Sequence, residues 1–212
     1  DNLFNASGRN LGDIELTGRY QLNDGGNDSA YYVGTLRFKT RTGKDPFEVT
    51  TATSVPGGGL NTQLQRDLPT GSGFYTLQPG ITALYASDPA VFFGSLSYQY
   101  NFARNNLWLK TDTGPQYVGE VKPGGVLGFN FGMGLALNDR SSFSLGYDHA
   151  AVGKTRVNGA NVANGMTTQL GTLLLGFSYR LNDKTTINLS LGVGATRDAP
   201  DVQLSLRIPV SF

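Results

Sequence analysis

The stretch Val202-Gln203-Leu204-Ser205-Leu206-Arg207-Ile208-Pro209-Val210-Ser211-Phe212 decides the fold. Val202, Leu204, Leu206, Ile208, Val210 and Phe212 alternate with Gln203, Ser205, Arg207, Pro209 and Ser211. A period of two sends one set to each face of a β-strand. Soluble strands usually run about 5–6 residues, whereas a tilted strand needs about 9–11 to cross a bilayer. This alternation has the longer length.

Working back from it, eight more segments share the pattern, over residues 13–22, 31–41, 75–85, 91–102, 126–137, 143–150, 172–181 and 186–196. Their charges separate a membrane barrel from a large soluble one. Asp13, Glu15, Arg19, Arg37, Lys39, Arg41, Asp148, Arg180 and Arg207 all occupy the parity opposite the apolar stripe. The apolar parity carries no Asp, Glu, Lys or Arg in any segment, as in Leu127, Phe129, Phe131, Met133, Leu135 and Leu137. Arg or Lys facing lipid near the midplane costs about 2–4 kcal/mol, which accounts for the empty face. The opposite parity is rich in small and polar residues, among them Gly128, Gly132, Gly134, Asn188, Ser190, Gly192 and Gly194. A soluble sandwich would bury its bulky face and expose a more charged, less glycine-rich one.

Composition removes several function classes. The 212 residues include 29 Gly and no Cys, which excludes a disulfide framework, a zinc-thiolate site and a Cys nucleophile. The formal net charge of +1 gives no general attraction to nucleic acid. No run of 18 apolar residues offers a spanning helix. The reading is therefore all-β: a transmembrane antiparallel up-and-down β-barrel with nine strands visible.

Connection lengths orient it. Short turns at 23–29, 86–88, 138–142 and 182–184 alternate with long loops at 42–74, 103–125 and 151–171. Barrels of this kind have short periplasmic turns and longer external loops, so Phe212 falls at the periplasmic end. The external connection 197–201 is short, a departure from the alternation. Segment 47–53 is expected to be a hairpin rising above the membrane. Bacterial barrels have an even strand number, and an open edge cannot face lipid. Residues 1–212 are thus expected to be the C-terminal part of one barrel domain, with further strands upstream of Asp1.

Candidate functional residues follow from position. The terminal strand ending in Phe212 reads as a signal for the barrel-assembly machinery. Tyr20, Tyr31, Tyr32, Tyr85, Phe92, Phe93, Tyr179 and Phe212 are expected in an aromatic girdle on the periplasmic side, with Phe102 and Trp108 toward the outer side. The nine charged residues of the polar parity are candidate pore-lining groups. Two readings of them stay open: a charged lumen that tunes passage, or an ion-pair network that fills it. A barrel hydrolase would need a His–Ser pair. His149 is the only His, and Ser144 lies on the opposite parity of its segment, so no catalytic residue is assigned. The Gly57-Gly58-Gly59 run lacks a following GK[ST] and reads as a loop. No metal or cofactor is expected.

Leu68-Pro69-Thr70-Gly71-Ser72-Gly73-Phe74-Tyr75, the stretch Tyr85 to Gly94, the hairpin Phe131 to Tyr147 and Asp198-Ala199-Pro200-Asp201-Val202 also carry a resemblance. Over about residues 30–212 the chain resembles the outer-membrane transporters labelled "MetA-pathway of phenol degradation", a family that includes the functional-amyloid (Fap) secretion pore. That resemblance implies a Gram-negative outer membrane, about twelve strands in the complete barrel and a homotrimer. It also implies export of secreted amyloid subunits to the cell surface. A passive porin for small or aromatic solutes is the alternative, and a barrel enzyme a third class with little support.

Overall fold

The computed structural model describes residues 6–25, 29–55, 59–162 and 165–210. Phe212, the proposed assembly signal, and Gly57-Gly58 lie outside the described residues. The first eight strands are β1 (Glu15–Gln21), β2 (Tyr31–Lys39), β3 (Thr51–Val55), β4 (Gly59–Gln65), β5 (Thr76–Ser87), β6 (Ala90–Asn101), β7 (Arg104–Thr111) and β8 (Gly114–Lys122). They are followed by β9 (Val126–Asn138), β10 (Ser141–Val152), β11 (Arg156–Val157), β12 (Ala160–Asn161), β13 (Thr168–Asn182), β14 (Thr185–Gly194) and β15 (Val202–Arg207).

Nine of them form one antiparallel up-and-down sheet in the order β1-β2-β5-β6-β9-β10-β13-β14-β15. They fall on the nine segments expected from alternation, but β1 and β15 hold only seven and six residues, shorter than the expected 13–22 and 202–212. Tight turns join β5 to β6, β9 to β10 and β13 to β14, all at one end. Among the described residues β1 and β15 each keep one edge unpaired. Lipid offers no hydrogen-bond partner, so barrel closure requires partners for both edges.

The register holds the two faces apart across the whole sheet. On the apolar face, Leu96 pairs with Phe129, Phe129 with His149, Leu145 with Leu175, Leu175 with Leu191 and Leu191 with Leu204. Much of this face is open: Leu204 is 68% exposed, Leu16 63% and Leu36 52%. The total accessible surface is 14222 Å², against about 9,500 Å² for a soluble globular chain of this mass. Such an area of exposed leucine and aromatic surface demands lipid, not water.

The long connections are themselves folded. β12-β11-β8-β7-β3-β4 make a second, six-stranded sheet at the long-connection end. Four of the five buried apolar residues among those described, Val49, Ala52, Leu107 and Val121, lie in or beside it. The hairpin expected over 47–53 is β3 and β4, displaced toward the C-terminus, while residues 46–48 form a turn. Trp108 belongs to this sheet, packed edge-on against Tyr117 at 4.9 Å, and so leaves the girdle expected of it.

Candidate functional site: the polar face of the sheet

Alternation carries every second side chain of the nine strands to one polar face. Thr17 pairs with Arg37, Arg37 with Gln78, Gly80 with Ser97, Ser95 with Asn130, and Asn130 with Asp148. The line continues from Asp148 to Thr172 and from Thr172 to Gly194. A parallel line runs from Ser144 through Gly176 and Ser190 to Ser205. Most positions carry short polar or no side chains, so little fills the space above them.

The charged candidates distribute unevenly on this face. Arg37 is the centre of a ladder over four strands. It donates to both Glu15 oxygens, Nη2 to Oε1 at 2.5 Å and Nε to Oε2 at 3.0 Å. Its Nη1 donates to Gln78 Oε1 at 3.0 Å, and Gln78 Nε2 donates to Ser97 Oγ at 3.3 Å. Arg19 joins Arg37 along a depression of about 270 Å³ with Thr17, Thr35 and Thr82. Asp148, Arg180 and Arg207 stand exposed on the other strands of the same face, with Arg180 beside Thr186 and Arg207 beside Asn188. Among the described residues, the ion pairs on this face are Arg37–Glu15 and Lys39–Asp13, both on the β1–β2 side.

Asp13 and Lys39 sit at the long-connection end and hold a loop. Asp13 Oδ2 accepts from the Ser72 backbone N–H and hydroxyl, both at 2.8 Å, and Oδ1 accepts from the Gly43 N–H at 3.1 Å. Lys39 Nζ donates to Ser72 Oγ at 2.7 Å and stands 3.8 Å from Asp13. Burial pushes the Asp13 pKa up. The Ser72 and Gly43 hydrogen bonds and the Lys39 charge more than offset this, so the carboxyl lies below its ordinary value. Arg41 follows β2 and places its guanidinium 5.2 Å from the Tyr75 ring centre, apart from the Arg37 ladder.

Sequence reasoning passed over several groups. Asp45 is buried and paired with Arg104, which also stands 5.9 Å from the Phe47 ring centre. Thr76 Oγ1 donates to Asn101 Oδ1 at 2.9 Å, and Asn101 Nδ2 donates to Gly124 O at 2.6 Å. Phe93 does not join the girdle. Its parity is polar, pairing with Leu84 and Gly132, and its ring lies over Gly132 and Gly146. Adjacent Phe92 and Phe93 cannot share a face of one strand, and that signal was present in the sequence. His149 lies on the apolar face, stacked on Phe129 at 5.0 Å and hydrogen-bonded to Tyr147 and Gln169 at 2.9 and 2.7 Å. Ser144 faces the other way, so the two form no dyad.

No family model matches the chain. Among solved structures it is similar to the COG4313 outer membrane channel from Pseudomonas putida F1, with a TM-score of 0.60 at 11% identity. The match covers 93% of this chain and 64% of the channel, so the chain spans less than two thirds of that protein's length. The chain shares the all-β fold of that channel. With its uncharged, exposed apolar face, that fold belongs in a Gram-negative outer membrane. At this level it agrees with the transporters that the sequence resembles.

Proposed function

We propose that the chain builds the wall of a water-filled pore, with the second sheet outside the cell and the tight turns in the periplasm. The cross-strand register of the polar face carries this reading. It lays Ser, Thr, Asn and Gly side by side over nine strands, and among the described residues the ion pairs of this face lie on the β1–β2 side. On the strands of this face Arg19, Arg37, Lys39, Arg180 and Arg207 outnumber Glu15 and Asp148. A low-dielectric wall focuses this positive excess toward the lumen.

As cargo we infer secreted amyloid subunits, supported by the sequence resemblance to the Fap secretion pore, with homotrimeric assembly. Passive flux of small solutes is the second reading, favoured by the Pseudomonas neighbour being a channel. Planar-bilayer recording of the whole protein tests the pore, and discrete conductance steps are expected. A folded, heat-modifiable protein that inserts and never conducts would reject it. For cargo, surface appearance of amyloid subunits is compared in cells with and without the gene. Unchanged export alongside lost solute uptake selects the second reading.

A further inference from the structure

Lys122, Lys154 and Arg156 line a cavity of about 260 Å³ at the long-connection end, together with Tyr98, Tyr100 and a rim of Gly124, Gly125 and Gly153. Arg156 and Lys122 are direct cross-strand partners of β11 and β8. Like charges directly opposite one another destabilise a strand pair, and no carboxylate lines the cavity to relieve them. Glu120, two residues along β8 from Lys122, does not line the cavity and forms none of the ion pairs among the described residues. Lys122 Nζ lies 4.9 Å from the Tyr100 ring centre and donates to Tyr100 Oη at 3.2 Å, so its charge is held beside Tyr100. Tyr98 and Tyr100 belong to the apolar parity of β6, which continues through Leu96. One cavity thus joins three cations to the upper margin of the lipid-facing surface.

We propose that this cavity binds the phosphorylated headgroup of an outer-leaflet lipid, with the three cations on the phosphate and the acyl chains descending along Tyr98 and Leu96. An anion there relieves the Lys122–Arg156 repulsion, and charge-assisted hydrogen bonds to phosphate are the strong kind. The continuity with the apolar face selects a lipid over a free anion. Beyond the pore reading, this site needs only that the long connections face the outer leaflet.

Native mass spectrometry of the detergent-solubilised whole protein tests it, with lipid A, dephosphorylated lipid A and inorganic phosphate as probes. Lipid A is expected to bind, and the triple variant Lys122→Gln, Lys154→Gln, Arg156→Gln to weaken it at least about tenfold, the scale of one lost charge-assisted bond. The exposed single variant Lys154→Gln should show a smaller loss in the same direction, and gel heat-modifiability reports whether each variant folds. Equal lipid A binding by folded wild type and variants overturns the site. Inorganic phosphate displacing lipid A at equal concentration overturns the lipid assignment, and dephosphorylated lipid A binding as tightly as lipid A overturns the role of the phosphate.

Discussion

Arg37 grips Glu15 with two parallel hydrogen bonds across the β1–β2 pair, while Arg19, two residues from Thr17 on the same face, has no such partner among the ion pairs of the described residues. The pair neutralises one cation with one carboxylate, so it adds nothing to the net charge of the polar face.

Glu15→Gln should therefore free Arg37 and move the reversal potential toward anion selectivity. Arg37→Gln should move it toward cations. Both effects should shrink at 1 M salt, where screening falls to about 3 Å. Both side chains are more than one-third exposed, and exposed ion pairs contribute little to stability, so neither change should unfold the protein. Bilayer recordings at 0.1 and 1 M salt check this. Identical selectivity in all three proteins would remove the ladder from the pore wall.

The Asp13 clamp predicts acid sensitivity of the 70–73 loop. Because the folded carboxyl titrates below its ordinary value, its contribution is present above the unfolded value, near 3.8, and is lost as pH falls through the lowered folded value. Asp13→Asn should weaken the loop at neutral pH by about 1–3 kcal/mol, the scale for hydrogen bonds to a charged acceptor. Loop proteolysis should then be fast at pH 7 in the variant and slow in the wild type. Equal rates at pH 7 would show that Asp13 does not hold the loop.

Arg104→Ala should melt the second sheet without touching the first. Asp45 is buried, and removing one partner of a buried ion pair costs about 3–5 kcal/mol. Hydrogen exchange should rise in β7 and β8 and stay unchanged in β9, β10 and β13. Arg104→Gln with Asp45→Asn should be milder, since no buried charge is left alone. Uniform loss of protection across both sheets would mean that they unfold as one unit.

All nine strands of the main sheet were legible because lipid enforces a strict period of two over many residues. The segment expected at 126–137 is β9 at Val126–Asn138, and that at 31–41 is β2 at Tyr31–Lys39. The second sheet was not legible. β11 and β12 hold two residues each, and β3 meets β7 at a single pair, Thr51 with Thr111. Its organisation rests on distant contacts such as Asp45 with Arg104, which no local pattern encodes. Parity puts Glu15, Arg19, Arg37, Lys39, Asp148, Arg180 and Arg207 on one face of the strands, but Asp13 and Arg41 lie outside β1 and β2, and parity could not tell that Asp13 turns to Ser72 or that Arg41 settles on Tyr75. Those choices depend on where a long loop folds back.

The contrast between Gly132 and Gly134 is the sharpest test of packing on the polar face. Both lie in β9 on the same parity, and only one is crowded. A Cβ on Gly132 would stand 2.5 Å from Leu145 O, 2.6 Å from Phe93 Cζ and 2.8 Å from Gly146 Cα. A Cβ on Gly134 would meet nothing within 4 Å. Gly132→Ala should destabilise by about 1–3 kcal/mol, the cost of overpacking a fitted site. Gly134→Ala should be neutral or stabilise by up to about 1 kcal/mol, because Ala loses less backbone freedom than Gly on folding. Phe93→Ala relieves only one of the three clashes, since the other two atoms belong to the backbone. The double variant should therefore recover only part of the Gly132→Ala loss. Urea titrations of the protein in lipid vesicles, scored by gel heat-modifiability, measure all four. Equal midpoints for Gly132→Ala and Gly134→Ala would show that Gly132 is not crowded. Full recovery in the double variant would show that the ring alone, and not the closeness of β9 and β10, sets the need for glycine there.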